Sequence, residues 1–216
     1  MSLTEQLATQ KAQSLANFPE DVKNRLLGDL DDLGQSGMVD RAPKVGDQLK
    51  DFVLINHLGE ERNLASLRAN GPVVITFYRG GWCPYCNLEL RAYQAVLEEI
   101  QATGATLVAI TPELPDASLS TTEKNELTFE VLTDTNADYA RSLGLVFTLP
   151  EATRPIYEKF GIAVEEHNGK GQFDFPLAAT FIVDVDGTVI SSYVNVDYTL
   201  RQDPKDVIEK LKAHKR

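Results

Sequence analysis

Three short runs dominated by apolar residues punctuate the chain: Pro72-Val73-Val74-Ile75-Thr76-Phe77-Tyr78, Thr106-Leu107-Val108-Ala109-Ile110 and Thr180-Phe181-Ile182-Val183. Runs without polar alternation mark strands covered on both faces. Between the first two, Leu90, Tyr93, Leu97 and Ile100 recur at helical spacing, which predicts one helix over 87–101 ending at Gly104. Strand, helix and strand in that order make the two strands parallel and the crossover right-handed. Any ligand site of such a sheet lies beyond the carboxyl ends of its strands.

The rest of the pattern adds elements on either side. Residues 2–34 read as two helices joined at Phe18-Pro19, with Ser2 and Glu5 as a capping box and Val22, Leu26, Leu30 and Leu33 on one face before Gly34. That stripe either packs on the main domain or forms an oligomer contact, a homodimer being the partner expected in the second case. A connector over 35–50 precedes a strand at 52–55, a turn at 58–61 and a short helix at 63–67. Downstream the pattern predicts a loop and short helix over 113–126, a strand at 129–133, and a helix capped by Asn136 and stopped by Gly144. An excursion over 145–176 carries a helix at 150–160 and a mobile turn at 167–171. The Asp184-Val185-Asp186-Gly187 turn joins the third run to Val189-Ile190-Ser191-Ser192-Tyr193-Val194 as a hairpin, and Val207, Ile208 and Leu211 define a closing helix over 203–212.

With 216 residues, 43% of them hydrophobic, the chain has material for one full core. We assign that core to a domain over 43–216, with a helical extension and linker over 1–42. The excess of 32 acidic over 21 basic residues lacks a basic footprint, so neither nucleic acid nor an anionic membrane surface is expected as a partner. No stretch nears the ~20 apolar residues of a membrane span. The first residues lack the basic and apolar regions of a signal peptide, and two cysteines not placed for scaffolding fit a reducing compartment, so the expected location is cytoplasmic.

Both cysteines lie in Arg79-Gly80-Gly81-Trp82-Cys83-Pro84-Tyr85-Cys86, just past the first strand and at the start of the helix. Free N–H groups and partial positive charge at a helix N-terminus favour the thiolate, the reactive form of cysteine. Pro84 suits the first helical position and stiffens the turn. Structural zinc needs four ligands, and the chain offers these two cysteines and three scattered histidines, His57, His167 and His214. Covalent haem needs a histidine where Asn87 stands. A purely structural disulfide would close a tiny loop for little entropy. A redox dyad, needing neither metal nor cofactor, is the expected reading.

Together with Val45-Gly46-Asp47, Phe77-Tyr78, Glu89 three residues after Cys86, Phe129-Glu130-Val131-Leu132-Thr133-Asp134 and Thr180-Phe181-Ile182-Val183-Asp184, the dyad resembles the peroxiredoxin-like proteins of the alkyl hydroperoxide reductase and thiol-specific antioxidant type, within the thioredoxin-like superfamily. The resemblance covers about 43–195. It implies an α/β three-layer thioredoxin-like fold, a central mixed sheet with helices on both faces. In the peroxiredoxin register Cys86 is the attacking cysteine and Cys83 the resolver. In the thioredoxin register Trp82-Cys83-Pro84-Tyr85-Cys86 resembles the W-C-x-x-C site, with Cys83 attacking. The proline, threonine and distant arginine of the peroxiredoxin pocket fall here on Arg79, Cys83 and Ala178; the cis-proline and buried carboxylate of the thioredoxin pattern fall on Ala178 and Phe77.

The implied activity is reduction of a hydroperoxide through a Cys83–Cys86 dithiol/disulfide cycle begun by Cys86, with a thioredoxin-like or small-thiol reductant as partner. Two alternatives are a protein disulfide reductase that uses Cys83 first and a redox-switched adaptor without turnover. A peroxidatic thiolate needs a cation or donor. Arg79 is nearest in sequence, and Arg201 is a second candidate if the segment after the hairpin folds back; either is alternatively a surface residue. Trp82 and Tyr85 either shape a partner-facing patch or pack the loop. Glu89 either holds the loop and caps the helix start or relays a proton. The histidines read as surface or core residues.

Overall fold

In the computed structural model, which describes residues 1–214, the three apolar runs lie side by side at the centre of one sheet. In chain order the elements are α1 (Leu3–Asn17), α2 (Glu20–Gln35), α3 (Met38–Arg41), β1 (Val53–Asn56), β2 (Glu61–Asn63), α4 (Leu64–Leu67), β3 (Val73–Phe77), α5 (Pro84–Ala95), α6 (Leu97–Ala102), β4 (Thr106–Thr111) and α7 (Pro115–Lys124). There follow β5 (Glu130–Thr133), α8 (Asp138–Ser142), β6 (Val146–Thr148), α9 (Arg154–Lys159), α10 (Val164–Asn168), β7 (Asp174–Pro176), β8 (Ala178–Val183), β9 (Val189–Asn195) and α11 (Pro204–His214). The main sheet has seven strands in the order β2-β1-β5-β4-β3-β8-β9. β3 pairs parallel with β4 and antiparallel with β8, so the sheet is mixed.

Every residue of β3 is buried because both faces are covered. Val74 joins a core with Leu90, Tyr93, Ile100, Val207 and Leu211, from α5, α6 and α11. Val73, Ile75 and Phe77 point the other way, into a core with Leu64, Tyr139 and Leu143. Helices therefore cover both faces, as expected. A third cluster, built on Leu149, Tyr157, Val164 and Phe175, sits in the 145–176 excursion, whose β6 and β7 form a separate two-stranded sheet.

Several local expectations are corrected. The helix over 87–101 is two helices, α5 starting earlier at Pro84 and breaking at Val96 before α6. Gly34 does not stop α2; the chain turns at Gly37, whose φ of 68° suits a residue without Cβ. Asn136 does not cap α8: the Asp134 carboxylate accepts the N–H groups of Tyr139 and Ala140, both at 2.9 Å. His167 and Asn168 close α10 rather than forming a loose turn, and Asn168 is buried.

The N-terminal helices lie on the main body. The Ser2–Glu5 capping box is present, and Leu3 and Leu7 are buried in the same core as α5. Leu26 of α2 packs against the excursion cluster, and Arg25 and Asp29 both bond the Thr153 hydroxyl.

Candidate active site

The dyad sits where β3 hands over to α5. The Cys83 carbonyl receives the Asn87 N–H at 3.1 Å, placing Cys83 at the helix N-cap, exposed Pro84 at the first helical position and Cys86 in the first turn. Two glycines let the turn pass. A Cβ on Gly81 would collide with the Thr121 hydroxyl, and one on Gly80 with the Trp82 ring. Both sulfurs are free thiols and both are fully buried.

Each sulfur faces its own guanidinium. Arg79 donates to Cys83 Sγ at 3.3 Å, and Arg201 donates to Cys86 Sγ at 3.4 Å. The segment after the hairpin does fold back, and it carries Tyr198 with it. Arg201 Nε donates to Glu89 Oε2 at 2.7 Å, and Thr76 donates to Glu89 Oε1 at 3.1 Å. Glu89 therefore neither caps α5 nor reaches a sulfur; it anchors Arg201. Burial pushes its carboxyl above the usual range, against the pull of Arg201 and Thr76.

Arg79 lies in an aromatic cage. Its guanidinium carbon is 3.8 Å from the Tyr198 ring centroid and 5.1 Å from that of Trp82, and its Nη1 donates to the Tyr157 hydroxyl at 2.9 Å. Trp82 is half-buried against Tyr157 and Phe175. Tyr85 is buried edge-on to Tyr198. Beside this cage is a cavity of about 280 Å³ bounded by Arg79, Trp82, Pro84, Tyr85 and Tyr198, with Leu26 of α2 also lining it.

The two thiols share their charge unequally. Burial works against a Cys83 thiolate, but the hydrogen bond from Cys86 and the charges of Arg79 and Arg201 outweigh it and hold Cys83 well below the ordinary thiol range. Burial, reinforced by the hydrogen bond and charge of Cys83, pushes Cys86 well above that range. The two shifts run in opposite directions because each sulfur acts on the other.

Sequence reasoning missed the support around the loop. Glu113, fully buried, accepts the Gly81 N–H at 2.9 Å and also bonds Tyr78, Thr121 and His167. Asn87 donates to the Gly81 carbonyl at 2.7 Å. Tyr157, Phe175 and Tyr198 were missed as well. The available signal was position alone: Glu113 lies just past the carboxyl end of β4, at the same sheet edge as the dyad.

A family model described as AhpC/TSA matches residues 45–192. Peroxiredoxin Bcp of Escherichia coli is 23% identical over 171 residues, covering 79% of this chain and 97% of Bcp. A peroxiredoxin-like protein of Mycobacterium tuberculosis is 28% identical over 102 residues, 47% of this chain and 66% of that one, so the match spans just under two thirds of its length. The crystal structure of peroxidoxin BcpB from the same organism superposes with a TM-score of 0.62 at 22% identity, over 79% of this chain and 97% of that one. The thioredoxin-like peroxiredoxin fold is shared.

Proposed function

The chain belongs to the AhpC/TSA family, and from that premise we propose that it is a thiol peroxidase working through a Cys83–Cys86 dithiol/disulfide cycle. The observation that carries this reading is the pairing of each buried sulfur with a guanidinium, at 3.3 Å and 3.4 Å. A cation beside the sulfur holds the thiolate and steadies negative charge on the departing oxygen.

A thiolate of the pair attacks one oxygen of the hydroperoxide; the S–O bond forms as the O–O bond breaks. The leaving oxyanion takes a proton from solvent and departs as alcohol or water, leaving sulfenic acid. The second thiol attacks that sulfur, the disulfide forms and water leaves. An external dithiol or pair of thiols, thioredoxin-like or small, reduces the disulfide by exchange. Peroxide loses its O–O bond and the reductant supplies both electrons. The first 42 residues, outside the matched 45–192, act as an extension that walls the cavity next to Arg79.

A second reading, thiol–disulfide exchange, is favoured by Cys83 standing at the helix N-cap after Trp82, the place of an attacking cysteine in the thioredoxin register. Stopped-flow oxidation of the reduced protein by hydrogen peroxide and an alkyl hydroperoxide separates the two. Trp82, the only tryptophan, touches the cage and reports the change. Oxidation orders of magnitude faster than that of a free thiol supports the peroxidase; a free-thiol rate with both peroxides sinks it and leaves disulfides as the substrates to test.

A further inference from the structure

The two buried arginines are compensated differently. Arg201 has a carboxylate partner in Glu89, and the two side chains are 1% and 0% exposed. Its Nη1 reaches the carbonyls of Tyr198 and Leu200, and its Nη2 donates to Cys86 Sγ at 3.4 Å. Arg79 is 4% exposed, yet among the described residues no carboxylate lies within salt-bridge distance of it. Its partners are the Tyr157 hydroxyl, aromatic faces and Cys83 Sγ, and its Nε has no partner. A cation taken out of water without an anion is unstable in a protein interior. Burial pushes the Tyr157 hydroxyl up, so it stays neutral. Among the described residues, the thiol that Arg79 hydrogen-bonds, and so the nearest source of a negative charge, is Cys83, with Cys86 acting on it from farther away.

We propose that Cys83, not Cys86, holds the thiolate and makes the attack, with Arg79 as its counter-ion, while Cys86 under the Glu89–Arg201 pair is the resolving thiol. This inverts the roles that the peroxiredoxin register implies for these positions, and its peroxide step rests on the reading above. Three observations agree. Cys83 is at the N-cap of α5, where the helix favours an anion. Arg79 donates to the Cys83 sulfur at 3.3 Å, which stabilises a negative charge there, and the lowered Cys83 thiol agrees. The cavity beside the dyad is lined by Arg79, the arginine that donates to Cys83, and not by Arg201; neither cysteine is among its lining residues.

In the peroxide step Cys83 Sγ takes one hydroperoxide oxygen, so that sulfur is oxidised to the sulfenic acid as the O–O bond is reduced. Arg79 meets the charge on the leaving oxygen, which takes a proton from solvent. The Cys86 thiol then displaces water from Cys83, and an external dithiol restores the pair.

The test uses full-length reduced protein, wild type, C83S and C86S, with three readouts: ultraviolet thiolate absorbance against pH, mass-mapped alkylation by iodoacetamide at mildly acidic pH, and dimedone trapping of sulfenic acid after hydrogen peroxide. The expected results are a thiolate titrating below the ordinary range in C86S but not in C83S, alkylation at Cys83 first, and dimedone on Cys83 of C86S. In R79Q the Cys83 titration rises by about one unit or more, roughly a tenfold loss of thiolate, and R79K restores part of it. Preferential alkylation of Cys86, or fast peroxide oxidation of C83S but not C86S, overturns the assignment while leaving the peroxidase intact. An acidic, first-alkylated Cys83 that peroxide oxidises no faster than a free thiol upholds the thiolate at Cys83 but removes the peroxidase reading, and the peroxide attack with it. C83S and C86S keep Arg79, so a misfolded Arg79 variant does not stop the test.

Discussion

The carboxylate of Glu113 accepts the backbone N–H of Gly81 at 2.9 Å, so the turn bearing the dyad is fastened to the end of β4. The same carboxylate bonds Thr121 at 3.3 Å, Tyr78 at 3.4 Å and His167 at 3.0 Å. Through His167 it also ties in the 145–176 excursion, the source of Tyr157 and Phe175 in the Arg79 cage.

Glu113→Ala is expected to destabilise the fold by at least ~3 kcal/mol, because each orphaned buried donor costs about 1–3 kcal/mol. Glu113→Gln keeps an acceptor for Gly81 and should cost distinctly less. Urea unfolding measures both. An alanine variant within about 0.5 kcal/mol of wild type, the ordinary scatter of surface substitutions, would mean that the network does not hold the loop.

Glu89 and Arg201 make a buried ion pair at 2.7 Å. Removing one member leaves the other charge uncompensated, so Glu89→Met and Arg201→Met should each cost about 3–5 kcal/mol. The double variant is expected to cost far less than the sum, since two apolar side chains replace the pair without stranding a charge. A double-mutant cycle gives the coupling; additive losses would show that the pair is not energetically one unit.

How much of this was legible in the sequence depends on how far each signal reaches along the chain. Val73 to Phe77 carry their burial in their own composition, and the 180–194 hairpin is announced by Asp186-Gly187. The dyad was legible because C-x-x-C after a strand is a local pattern. The α5–α6 break was not, because Leu90, Tyr93, Leu97 and Ile100 keep helical spacing across it. Arg201 reaches Cys86 across 115 residues and Glu113 reaches Gly81 across 32. Contacts of that span are set by β8–β9 and β3–β4 pairing, which no local window contains. Asp134 displaced Asn136 as the cap of α8 because an unforeseen 3-10 turn at Thr135–Ala137 intervenes.

Leu7 of α1 is buried at 3% exposure in the core that also holds Leu90 and Tyr93. Leu7→Ala should therefore cost about 2–5 kcal/mol, as for a leucine of the central sheet core. Thermal and denaturant unfolding of the full chain test this. A loss below about 0.5 kcal/mol, the surface-substitution range, would mean that α1 is only loosely docked and that its apolar stripe is free for another partner.

The stability of the reduced protein should depend on pH through the dyad, with a sign fixed by the two shifts. Cys83 is held below the ordinary range in the folded state, and an unfolded thiol titrates near 8.5. Its contribution is fully present above about 8.5 and is lost as pH falls through the lowered native value. Cys86 is pushed up, so its thiol form contributes below about 8.5 and that contribution fades at higher pH. Relative to C83S, the reduced protein should thus gain stability with rising pH from the native Cys83 value to about 8.5. C83S also frees Cys86 from the neighbouring negative charge, so the alkaline decline should be shallower in that variant than in wild type. Thermal midpoints under reducing conditions across mildly acidic to alkaline buffers give both slopes. Parallel curves for wild type and C83S would show that no stabilising thiolate resides on Cys83, and the role given to Arg79 would go with it.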